Sequence, residues 1–86
     1  MQTTANETSN SETHQILAEL TKRAEGPVGT VVSVGEVMDL LLDLRLAAQD
    51  SGLVAAVDEA LQEIRNRPSM ILTEEVRRIT TKLAGL

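Results

Sequence analysis

SVGEVMDLLLDLRLAAQDSG, residues 33–52, decides what kind of fold this chain can have. Ser33-Val34-Gly35-Glu36 is a capping box. The Ser33 hydroxyl accepts the backbone N–H of Glu36, and the Glu36 carboxylate reaches back to the N–H of Ser33. A helix started there runs to about Gln49, where Asp50-Ser51-Gly52 breaks it and caps the next one. Val34, Val37, Leu41, Leu44 and Ala48 recur along it at spacings of three and four, the seam of near-antiparallel helix packing.

The apolar content exceeds one seam. At about 100° per residue, Glu36, Asp39 and Asp43 fill a polar sector of roughly 60°, and apolar residues occupy an arc of about 260°. A surface helix needs a stripe of only about 100°. The helix is therefore either central in the monomer, packed by helices one, three and four, or shared with another chain. Met38, Leu40, Leu42 and Leu46 lie outside the seam and would each forgo about 1.5–3 kcal/mol of burial if left in water. An uncovered patch of that kind marks an interaction surface, for a second copy first and for a different protein second. Arg45 projects from the middle of the arc. It needs a carboxylate partner if buried, or it lays its stem over apolar surface with its head in water. Met38, Leu42, Arg45 and Leu46 form the candidate interaction surface, and Arg45→Ala is expected to weaken self-association more than Arg78→Ala.

Working outward, the third helix covers about 52 to 66, with Val54, Val57, Leu61 and Ile64 on one face and Asp58, Glu59, Gln62, Glu63 and Arg65 opposite. Pro68 stops it. The last helix starts between Ser69 and Thr73 and runs to about Ala84, with its seam at Leu72, Val76, Ile79, Leu83 and Leu86. Glu74 and Glu75 suit its positive N-terminal end, and Arg77, Arg78 and Lys82 lie towards the end that favours cations. On the other side, Ile16, Leu17, Leu20 and Ala24 share one face of a first helix from about 11 to 25, ended by Gly26-Pro27. Residues 28–34, VGTVVSV, form a β-branched run with no evident partner strand. They are read as an extended linker, or as a strand paired with the same segment of a second subunit. No longer internal repeat is apparent. The expected architecture is all-α: a small four-helix bundle-like domain over 11–86 behind a disordered tail at 1–10, where Thr, Asn, Ser and Glu dominate.

Composition narrows the function. The chain has 86 residues, no aromatic residue and no cysteine, and a net charge of −5. A thin aliphatic core of this size is usually reinforced by disulfides, metals or oligomerisation. Cysteine is missing and His14 is the only histidine, so oligomerisation is the expected reinforcement. The acidic balance argues against nucleic acid or a membrane surface as partner. No run of 18 apolar residues occurs to span a bilayer. MQTTANETSNSETHQ has no Lys, Arg or apolar block, so it does not read as an export signal and the expected location is the cytoplasm.

Chemistry finds few candidates. There is no nucleophile–base pair, the acid pairs Asp58-Glu59 and Glu74-Glu75 diverge around their helices, and no phosphate-cradling glycine motif occurs. No enzyme activity, cofactor, metal or small-molecule substrate is expected. Asp50-Ser51-Gly52-Leu53 is similar to the Asp-Ser-Leu at which acyl carrier proteins receive phosphopantetheine, but Gly52 interrupts the motif and Ser51 reads better as a helix cap. The run VVSV, a helix, a Gly-containing turn and the helix with AVDEALQEI resemble ribbon-helix-helix repressors and antitoxins. That likeness implies a DNA-binding dimer whose strands read the major groove. Residues 28–34 offer only Thr30 and Ser33 to read bases. Separately, Arg77, Arg78 and Lys82 on the basic last helix are a candidate contact face for phosphates. A secretion-associated chaperone or secreted helical subunit also fits the Ser/Thr-rich N-terminus. The reading that best joins these observations is a small adaptor or regulator that binds protein, itself first, through the second helix.

Overall fold

The computed structural model describes the backbone of residues 5–85 and the side chains of residues 12–85. Its order is α1 (Ala5–Arg23), β1 (Val31–Ser33), α2 (Val34–Ala47), α3 (Ser51–Arg65), β2 (Met70–Leu72) and α4 (Thr73–Ala84). Four helices dominate, as expected, and a two-stranded sheet joins them. The helical backbone of α1 begins before residue 11. The tail expected at 1–10 falls on residues 1–4, outside the described residues, and on 5–10, whose side chains are not described.

Each boundary has a local cause. Ser33, extended at φ −67°, ψ 127°, caps α2 through a long Glu36 N–H to Oγ contact of 3.5 Å. Asp50, and not Ser51, caps α3: its carboxylate accepts the Leu53 N–H at 2.9 Å. Leu72 at the start of α4 supplies no side-chain cap, and Glu74 and Glu75 occupy the first turn. After α1 the chain turns through Gly26 and Gly29, both at positive φ (134° and 93°), where a side chain would be strained.

VGTVVSV is neither a linker nor a strand awaiting a second subunit. β1 pairs antiparallel with β2 of the same chain, Val32 opposite Ile71. The ladder extends past both strand ends through Thr73 N–H to Thr30 O (2.9 Å) and Val34 N–H to Ser69 O (2.8 Å). Val32 and Ile71 point into the core, and Val31, Met70 and Leu72 stand half-exposed on the outer face.

With β2 in place, the chain divides into two helix–strand–helix units, and an internal repeat emerges. A shift of 39 positions carries Val32 to Ile71, Val34 to Thr73, Glu36 to Glu75, Val37 to Val76, Leu41 to Thr80 and Leu44 to Leu83. Apart from the two glutamates, every member of these pairs is buried. Between α1 and α3 a shift of 40 carries Leu20 to Ala60 and Ala24 to Ile64, again all buried.

The core is one cluster drawn from both units. Within α2 it takes Val34, Val37, Leu41 and Leu44 of the predicted seam, whereas Ala48, the fifth member, lies past the helix as its half-buried C-cap. In α3 the seam is Val57, Ala60 and Ile64, with Val54 and Leu61 half-buried. In α4 it is Val76, Ile79 and Leu83, joined by Thr73 and Thr80; Leu86 lies outside the described residues. α2 packs between α1 and α3, and α4 packs on α1 and α3 in turn. The broad apolar arc of α2 is thus covered on two flanks, which leaves an outer stripe open.

Candidate functional site

The open stripe is assembled by α2 and the neighbouring edge of α3. Met38 and Leu40 are half-buried against the core, whereas Leu42 is 46% and Leu46 83% exposed. The four large residues outside the seam therefore divide: two finish the core and two face solvent. Asp39 and Asp43 flank the exposed pair and make no ion pair among the described residues. On the α3 side, Met38, Leu42, Leu61, Gln62, Asp58 and Arg65 border a cleft of about 300 Å³.

Arg45 stands at the rim of this stripe and is already engaged. Its Nε donates to Asp58 Oδ1 at 2.6 Å, and Nη2 reaches Oδ2 at 3.5 Å, a forked contact that fastens α3 to α2. That hydrogen bond, and then the nearby carboxylate charge, raise the Arg45 pKa above its ordinary value. Of the candidate surface, Met38, Leu42 and Leu46 lie along one stripe, and Arg45 borders it with its charge met by Asp58.

The proposed basic face is dispersed. Arg77 Nη2 donates to the Ala24 carbonyl at the end of α1 (2.9 Å). Arg78 pairs with Glu63, and Lys82 Nζ lies 3.3 Å from Glu59 Oε1. The three cations thus serve contacts from α4 to α1 and α3 rather than forming one row for phosphates. These salt bridges are what the sequence reading missed. Glu59 and Glu63 stand four apart on α3, as do Arg78 and Lys82 on α4, which was the available signal.

Two other apolar features lie on the surface. Val31, Met70 and Leu72 on the outer face of the sheet, with Val28 at the turn before it, form an apolar end to the molecule. Between the end of α1 and α4, Thr21, Ala24, Glu25, Arg77, Thr81 and Ala84 border a groove of about 490 Å³.

Paired helix–loop–helix units invite comparison with calcium loops. An EF-hand loop of 12 residues places oxygen ligands at positions 1, 3, 5 and 9 and a bidentate Glu at 12. Windows ending at Glu36 and Glu75 put Pro27 and Gly29, and Asn66 and Pro68, at positions 3 and 5. The two glutamates meet arginines instead: Glu36 Oε1 lies 3.5 Å from Arg23 Nε, and Glu75 pairs with Arg67. A guanidinium thus holds the glutamate of each outgoing helix, from the end of α1 in the first unit and from the loop after α3 in the second, and this donor set does not suit calcium. Among the described residues no group of three or more His, Asp or Glu side chains is gathered. No helix among them is long and apolar enough to cross a membrane.

No protein-family model, no curated protein and no solved structure matches the chain.

Proposed function

We propose that this chain is a small non-enzymatic interaction protein that binds protein through the outer stripe of α2, with a second copy of itself as the partner. The observation that carries this reading is the exposed pair Leu42 and Leu46 beside the unpaired Asp39 and Asp43. Arg45 at the rim is already committed to Asp58 within the chain. Large aliphatic side chains held in water on a helix already packed against its neighbours are sites where association gains burial without further folding cost. Glu36, Glu59, Glu63 and Glu75 support the same reading, because they are drawn into pairs with Arg23, Lys82, Arg78 and Arg67 that hold the helices together.

Light scattering over a dilution series tests it. The native chain is expected to exceed its 9.3 kDa monomer mass as concentration rises. The double variant Leu42→Asp/Leu46→Asp is expected to remain at the monomer mass with unchanged helical content, since both side chains lie outside the core. A native chain that stays monomeric throughout the series sinks the reading.

A further inference from the structure

The internal repeat turns the ridge on α2 and the groove beside α4 into counterparts. The shift of 39 carries Met38, Leu42, Arg45 and Leu46 onto Arg77, Thr81, Ala84 and Gly85. The shift of 40 carries Thr21, Ala24 and Glu25 onto Leu61, Ile64 and Arg65. At the exposed positions the large Leu42, Arg45 and Leu46 give way to Thr81, Ala84 and Gly85, so α2 carries a ridge where α4 leaves room for the groove of about 490 Å³. The charges at equivalent positions are opposed as well. Asp39 and Asp43 correspond to Arg78 and Lys82, and Arg65 corresponds to Glu25.

We propose that the Leu42–Leu46 ridge of one copy seats in the α1–α4 groove of another, head to tail. This rests on the reading of the α2 stripe as a docking face and names the surface that it meets. Charge decides between the ways two copies could meet. Ridge against ridge with the two α2 helices antiparallel brings Asp39 and Asp43 of both copies together, a like-charge juxtaposition. Ridge into groove sets those acids towards Arg77, Arg78 and Lys82, and Arg65 towards Glu25. Arg77 makes no ion pair among the described residues, and its one hydrogen bond goes to a backbone carbonyl. Arg78 and Lys82 hold Glu63 and Glu59 in exposed pairs of the kind that contribute little, so sharing them is cheap.

A heterologous contact leaves one free ridge and one free groove on every dimer, so growth continues past two copies unless a ring closes. A lasting interface needs roughly 1,000 Å²; with two exposed leucines at its centre, this contact is expected to be weak and concentration-dependent.

The test is complementation between two impaired variants, read by light scattering and sedimentation. Leu42→Asp/Leu46→Asp removes the ridge and keeps the groove; Thr81→Glu/Ala84→Glu blocks the groove and keeps the ridge. All four positions are exposed, and the single variants Leu46→Asp and Ala84→Glu provide the same comparison with less change to each helix. Each variant alone is expected to stay monomeric, and an equimolar mixture is expected to form a 1:1 pair of twice the monomer mass that grows no further. A native chain that associates while the mixture stays monomeric overturns the head-to-tail contact and leaves the α2 reading standing. A native chain that never associates overturns both.

Discussion

Thr73 occupies, one unit later, the place that Val34 holds in the first. Both are buried, but Thr73 brings a hydroxyl whose Oγ1 has no hydrogen-bond partner. A buried polar atom left unpaired carries its full desolvation penalty, about 1–3 kcal/mol. Thr73→Val is therefore expected to raise stability by about 1 kcal/mol. That corresponds to a rise in Tm of roughly 4–8 °C for a chain of this size. Val34→Thr should lower it by a similar amount. Melting followed by far-ultraviolet circular dichroism measures both, and a loss of stability in Thr73→Val would show that the hydroxyl is satisfied. Thr80, equivalent to Leu41, differs from Thr73 because its hydroxyl donates to the Val76 carbonyl at 2.8 Å. At this scale the sequence was partly legible. The surplus of apolar residues on α2 identified a surface, but which of them remain outside depended on where α1 and α3 lie. Leu40 and Leu42 are two residues apart, and one finishes the core while the other faces solvent.

Among the elements, the strength of a cap follows its geometry. Asp50 accepts the Leu53 N–H at 2.9 Å, whereas the Ser33 contact with Glu36 is stretched to 3.5 Å. Asp50→Ala is expected to cost about 1 kcal/mol, and Ser33→Ala distinctly less, in urea denaturation midpoints. Equal losses would mean that the two caps contribute alike. The turn after α1 makes a second comparison. An alanine at Gly29, where φ is 93° and the space around is open, bears the backbone cost alone, about 1–2 kcal/mol. At Gly26 the added Cβ would also lie 3.1 Å from Thr30 Oγ1, so Gly26→Ala should be the more damaging. Helices were readable from the three-and-four spacing and from Asp, Ser and Glu at their starts. β2 was not, because Met70-Ile71-Leu72 follows Pro68 by two residues and runs straight into α4, so it reads as a first helical turn. Its strand character comes from pairing with Val31-Val32-Ser33, a contact between residues 39 apart for the central pair.

For the whole molecule the repeat matters most, and it was the least visible from the sequence. It survives at buried positions with changed residue types, Leu41 against Thr80 and Val34 against Thr73, and with unequal loops that move its offset from 40 to 39. Neither unit closes a core alone: α2 packs on α3 and α4 on α1, and the sheet takes one strand from each. Fragments 1–49 and 50–86 are therefore expected to show little helix apart and to regain it on mixing. Full helicity in either fragment alone would show an independent domain.

The small sheet carries a cost during folding. Before the helices close over them, VVSV and MIL are short, uncharged, aliphatic runs of the sort that stack into aggregates when exposed. Each is hemmed in by residues that resist an extended ladder, Gly26-Pro27 and Gly29 ahead of the first, Arg67-Pro68 ahead of the second, with Gly35-Glu36 and Glu74-Glu75 shortly after them. These gatekeepers keep each strand three residues long, enough to pair once within the chain and too little to template a fibril.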